Sequence, residues 1–180
     1  MPRRTLKDTG LIDFVPLATI DPPAVEHLLD RAFGADRHGR TAYRIRDGVR
    51  AIPELSFAAL EDGELVGTIQ CWPVRFVGAD GRAVPLAMVG PVAVEPARQR
   101  DGIGKLLMDY ALAAAEASGD ARRLMLIGDP EYYGRWFGFT AERTAGWQVP
   151  GPVERHRLLA RGNDVPEGEG MIGPRVVALA

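Results

Sequence analysis

Leu86 to Ile127 reads as a strand, a loop with two glycines, an amphipathic helix and a second strand, and this order constrains the fold more than any other stretch. The first strand, LAMVGPVAV over Leu86–Val94, is the most apolar segment of the chain. From Gly102 to Ser118, Ile103, Leu106, Leu107, Tyr110, Ala111, Ala114 and Ala115 follow the i, i+3, i+4, i+7 spacing of a helix that buries one face. Gly119 stops that helix, and RRLMLIG reads as a buried strand. The unit is therefore strand, helix, strand, parallel and right-handed. At 180 residues the chain is most economically one domain, residues 1–180, with a continuous core.

The flanking segments fit an α/β architecture. DFVPLATIDPPAVEHLLDRAFG gives a short strand, a turn and a helix, with Asp21 as N-cap, Pro22 at the first helical position and Gly34 as the stop. TAYRIRDG predicts a second short helix, and LSFAALEDGELVGTIQCWPVRF two strands around the hairpin EDGE. GADGRA is a further turn. ERHRLLAR predicts one more strand and GNDVPEGEG a surface loop. Within the apolar strand Gly90 and Pro91 are anomalous, because Pro91 has no N–H for a ladder; they predict a bulge that parts this strand from its neighbour.

The loop ARQRDGIGKLL, Ala97–Leu107, holds Gly102 and Gly104 where the helix begins, although glycine disfavours a helix interior by about 1 kcal/mol relative to alanine. A bare backbone there has a use. The unpaired N–H groups and the positive dipole end of a helix N-terminus bind anions, and glycines let an anion approach. Gln99, Arg100 and Lys105 add donors and positive charge, so QRDGIGK after a strand is a candidate pyrophosphate cradle. A P-loop would need glycine where Gln99 stands and Ser or Thr where Leu106 stands. A dinucleotide fingerprint would need a small residue at Leu107 and an acid placed for the ribose. Both fail.

What remains is Gln/Arg-x-x-Gly-x-Gly/Ala at Gln99, Gly102 and Gly104, and here the sequence resembles the GNAT superfamily of acetyl-CoA-dependent N-acetyltransferases. MVGPVAVEPARQRDGIGKLLMDYAL is similar to the family's central strand, loop and helix in order, and YYGRWFGF to its downstream tyrosine-containing Gly-Phe motif. The resemblance is best over Leu86–Phe139. It implies a twisted mixed β-sheet flanked by helices, with the strand-helix-strand unit holding the cofactor. It implies that the backbone of Gln99, Arg100, Asp101, Gly102, Ile103, Gly104 and Lys105 binds the pyrophosphate of acetyl-CoA. Val92, Ala93 and Val94 would lie along the pantetheine arm, with a main-chain N–H near Val92 polarising the thioester carbonyl. Acyl transfer needs such a donor, since negative charge develops on that oxygen.

The reaction implied is direct attack of a primary amine on the thioester through a ternary complex, with no metal. A phenol with a reference pKa near 10 can protonate the departing thiolate, whose reference is about 8.5. By resemblance that phenol is Tyr133, although it stands one residue farther from Gly138 than the family's usual spacing, so Tyr132 remains the alternative. No residue declares itself as the base: Glu54, Glu95 and Asp129 lie near strand ends, and family members often use a water chain to solvent. The spacing departure also keeps open a second class, a catalytically degenerate module that binds acyl-CoA as a sensor or regulator.

Composition narrows the partners. A formal net charge of −2 argues against coating nucleic acid, and no apolar run is long enough for a signal core or a bilayer span, so the expected location is cytoplasmic. His27, His38 and His156 lack ligand spacing, which leaves a metal site without support. Cys71, the only cysteine, reads as a small buried hydrophobe, and Trp136, Phe137 and Phe139 as core. Arg37, Arg40, Arg44, Arg46 and Arg50 read as a solvated face that could otherwise favour an anionic acceptor. The resemblance implies a small-molecule or peptide amine as acceptor, and similar proteins suggest a homodimer completed by the C-terminal strands.

Overall fold

The computed structural model describes residues 3–5, 11–99 and 101–176. In chain order the strands are β1 (Arg3–Thr5), β2 (Leu11–Pro16), β3 (Phe57–Glu61), β4 (Glu64–Gly78), β5 (Ala83–Val94), β6 (Leu124–Ile127), β7 (Trp147–Gln148), β8 (Leu158–Arg161) and β9 (Gly170–Pro174). The α-helices are α1 (Pro22–Phe33), α2 (Thr41–Ile45), α3 (Ile103–Ser118) and α4 (Pro130–Phe137). They form a mixed sheet flanked by helices, divided between two compact units that share the long strands β4 and β5.

The first unit takes in residues 1–38, 51–71 and 90–115. Here β1, β2, β3 and β4 pair antiparallel in sequence, with Phe14 opposite Ala59 and Ala58 opposite Thr68. Apolar spacing on α1 buries Val25, Leu28 and Leu29 against Ala93 of β5. On α3 the same periodicity buries Ile103, Leu107, Met108, Ala111 and Ala115. Tyr110, on the flank of that stripe, stacks on Phe14 with ring centroids 4.6 Å apart. Pro22 opens α1 as expected, while Asp21 serves through its backbone: its carbonyl accepts from Ala24 N–H at 3.0 Å and its side chain makes no cap.

The second unit takes in residues 39–50, 72–89 and 116–180. Parallel pairing of β5 with β6 joins Ala87 to Leu124 and Met88 to Met125, and β6 pairs antiparallel with β8 from Leu124–Arg161 to Ile127–Leu158. β9 lies antiparallel on β4 and carries β7. The core packs Ile45, Phe76, Leu86, Met88, Met125, Trp147, Leu158 and Ile172 together. Trp147 is fully buried, with its indole N–H donating to Pro166 O at 3.2 Å, and the loop GNDVPEGEG turns Val165 into the core. Trp136, expected in the core, is 49% exposed, because α4 turns Phe137 inward instead.

Candidate functional site

The cofactor loop begins where β5 ends. Glu95 is tied by Arg31 of α1, whose Nε and Nη2 donate to one carboxylate oxygen at 3.0 and 2.8 Å. Pro96–Arg98 form a 3-10 turn, closed by the Arg98 N–H to Glu95 O at 2.7 Å. Gly102 then adopts φ +83, in the left-handed region that a β-carbon disfavours, and its carbonyl accepts the Leu106 N–H at 3.1 Å. Leu106 therefore makes the first bond of α3. The amides of Ile103 and Gly104 precede it, where a helix has no internal acceptors to give them. The first turn of α3 carries no acidic side chain, so its dipole is not opposed there.

Several predicted residues come together in this unit. A β-carbon on Gly104 would lie 3.6 Å from both Val92 Cγ1 and Val94 Cγ2, so α3 starts in contact range of the alternate residues of β5. Ala93 points the other way, into the core under α1, and Ile103 is buried against the position of Gly67, so neither side chain is exposed to a ligand. Gln99 and Lys105 are exposed. The Asp101 carboxylate accepts from Arg98 Nε at 2.7 Å. Arg100 lies outside the described residues.

In the second unit, parallel pairing with β5 joins Ala87 and Met88, ahead of Gly90, while β6 continues beside β8 to Ile127. After β6, Gly128 and Asp129 lead into α4, and Asp129 caps the helix by accepting the Glu131 N–H at 3.0 Å. This places Tyr133 in the first turns of α4 with its ring directly over Gly128, whose missing β-carbon would stand 2.5 Å from Tyr133 Cε2. Burial, with smaller contributions from Tyr132 and Asp129, pushes the Tyr133 phenol up to about 12 against an opposing effect of Arg157. Tyr132 sits edge-on to it, ring centroids 5.0 Å apart. Of the two phenols, Tyr133 is the one with a shaped seat.

The remaining candidates are mostly engaged structurally. Glu95 is held by Arg31 and Asp129 by its cap, while Glu54 is exposed. The arginines expected as a solvated face divide. Arg37 is buried and paired with Asp30 and Glu26, and Arg46 is buried with its guanidinium 4.0 Å from both the Tyr43 and Trp72 ring centroids. A one-dimensional charge pattern could not show that acids on α1 and aromatic faces awaited them. Among the described residues, no group of three or more His, Cys, Asp or Glu side chains could hold a metal ion, and no helix is long and apolar enough to cross a membrane.

The model of the acetyltransferase (GNAT) family matches residues 23–139, more than half of the chain. The chain belongs to the GNAT acetyltransferase family. Among curated relatives, the uncharacterized N-acetyltransferase YhbS of Escherichia coli K12 is 30% identical over 121 residues, covering 67% of this chain and 68% of that protein. An uncharacterized N-acetyltransferase of Streptomyces avermitilis is 26% identical over 101 residues, 56% of this chain; the match spans 24% of that longer protein. Among solved structures, a GNAT acetyltransferase of Brucella melitensis in complex with acetyl-CoA superposes with a TM-score of 0.62 at 26% identity, covering 92% of this chain and 96% of that one. Escherichia coli YhbS in complex with CoA gives a TM-score of 0.68 at 21% identity, covering 97% and 93%, a likeness of fold.

Proposed function

We propose that this GNAT protein, acting as a single transferase domain, moves an acetyl group from acetyl-CoA to a primary amine on a small molecule or peptide, by direct attack in a ternary complex. Family membership supports the reaction class. The observation that carries the cofactor assignment is the start of α3: Gly102 in a left-handed conformation, no side chain at Gly104, and amides ahead of the first helical hydrogen bond. Those features fit a pyrophosphate, which needs backbone donors and close approach. Gln99 to Lys105 would hold it, and Val92 to Val94 would line the pantetheine arm.

Acetyl-CoA supplies the thioester, an acyl group activated toward nitrogen nucleophiles. The Val92 N–H donates to the carbonyl oxygen as charge builds there. A carbon–nitrogen bond forms and the carbon–sulfur bond breaks; the amine's proton leaves to solvent, because Glu95 and Asp129 are already engaged. Tyr133 is the group assigned to the leaving sulfur in this reading, by resemblance to the family's tyrosine. Its raised pKa keeps the phenol protonated at neutral pH, so its hydroxyl donates a hydrogen bond that strengthens as the sulfur becomes anionic; the sulfur takes up that proton and the phenol regains one from solvent, matching the proton the amine releases.

Calorimetric titration of acetyl-CoA into the wild type and Gly102→Glu tests the assignment. The substitution puts bulk and negative charge where φ is +83. Binding by the wild type and none by a folded Gly102→Glu is the expected result. Equal binding by both, or by neither, would sink the cofactor assignment. Wild-type binding without turnover on any amine of a broad panel would instead favour the sensor class.

A further inference from the structure

The loop ahead of α3 holds acids close to where the proposed pyrophosphate lies. Asp101 immediately precedes Gly102, and Glu61 closes β3 in the same unit. Both accept from one side chain: Arg98 Nε donates to Asp101 Oδ2 at 2.7 Å, and Arg98 Nη1 pairs with Glu61 Oε2. Nη2 of the same guanidinium is buried with no hydrogen-bond partner among the described residues. The guanidinium is thus fixed by two carboxylates and turns its third nitrogen inward. That arrangement is poor for gripping a phosphate, since an arginine that does so offers a free pair of N–H groups.

Arg98 does something else. It draws the Asp101 carboxylate back along the loop, and it binds the loop to the end of β3, while Arg31 binds the loop's first residue, Glu95, to α1. The charges of Glu61 and Asp101, two negatives, become one net negative when Arg98 is counted with them. We infer that Arg98 is a positioning residue for acetyl-CoA binding, which screens Asp101 and Glu61 from the pyrophosphate and makes no phosphate contact of its own. This rests on the acetyl-CoA reading of the loop.

The test is titration of CoA into the wild type, Arg98→Gln, Arg98→Lys and the double variant Arg98→Gln/Asp101→Asn, with circular dichroism to verify folding. Uncovering a carboxylate several ångströms from a phosphate in partly solvated surroundings should weaken binding about five- to twentyfold in Arg98→Gln. Arg98→Lys keeps the charge and should stay within about threefold of the wild type. The double variant removes one of the two uncovered charges, returns the cluster to the wild type's single net negative, and should recover most of the loss. At about 1 M salt, where the Debye length is about 3 Å, the gap between Arg98→Gln and the wild type should close. An Arg98→Gln protein that binds like the wild type overturns the inference. A loss that persists in the double variant and in high salt overturns the screening role, because a brace alone is insensitive to both. A wild type that binds no CoA overturns the acetyl-CoA reading and this inference with it; the first two outcomes leave that reading standing.

Discussion

Gly128→Ala isolates the seat of the proposed acid without touching its hydroxyl. The new β-carbon would stand 2.5 Å from Tyr133 Cε2, 2.7 Å from Cδ2 and 3.1 Å from Leu126 Cδ1. Carbon atoms in good contact are about 3.5–4.0 Å apart, so the ring has to retreat by about 1 Å. The Gly128 backbone stays in place, with its N–H donating to Arg157 O at 2.9 Å and no positive φ to strain alanine. Overpacking of this kind destabilises by about 1–3 kcal/mol. A displacement of about 1 Å at a reacting group can lower turnover on the order of a hundredfold. The assay is release of free thiol from acetyl-CoA at saturating cofactor with an accepted amine, alongside CoA affinity by calorimetry. Turnover should fall about ten- to a hundredfold, with CoA affinity unchanged, since the substitution lies outside the cradle. Tyr133→Phe should reproduce the fall and Tyr132→Phe should not. Full turnover in both Gly128→Ala and Tyr133→Phe would refute Tyr133 as the group that assists the leaving sulfur.

Other perturbations probe the same architecture. Because burial pushes the Tyr133 phenol from 10.0 to about 12, the folded protein keeps a proton that the unfolded chain loses. The contribution is fully present below pH 10, and stability falls as pH rises toward 12, by up to about 1.4 kcal/mol per pH unit. Urea unfolding at pH 9 and 11 should show a steeper loss for the wild type than for Tyr133→Phe; parallel losses would mean the phenol is as free as in the unfolded chain. Arg37→Ala removes a buried guanidinium whose partners Glu26 and Asp30 stay 52% and 41% exposed and keep their hydration. Lost packing and pairing should then destabilise by about 2–3 kcal/mol in denaturant melts, and a change under 0.5 kcal/mol would show the pair to be ornamental.

Much of this arrangement was legible in the chain because it is local. Helical periodicity placed α1 and α3, TAYRIRDG was expected as the short helix α2, Gly119 ended α3, and two runs of apolar residues around EDGE marked β3 and β4. The loop glycines could be read because helix N-termini have unpaired amides whatever the surroundings, and the family motif is local in the same way. β9 and β7 were missed, since five residues broken by two glycines, and a strand of two residues, carry no period long enough to read. Trp147 could be located in the core only once β9 had returned to β4.

Sequence alone thus determined the family and the central elements, β2 to β6 with α1 to α3, all fixed by neighbours within a few turns. Tertiary structure decided which charges are spent and which remain. Arg98, two positions from Arg100 in the same basic run, is committed to Glu61, 37 residues away, and to Asp101. Arg37 is committed to α1 and Arg46 to two aromatic faces. The same holds for Tyr133, whose seat is the absent side chain of Gly128. Pairing and close packing depend on distances across the fold, and a linear chain records residue types but no distances.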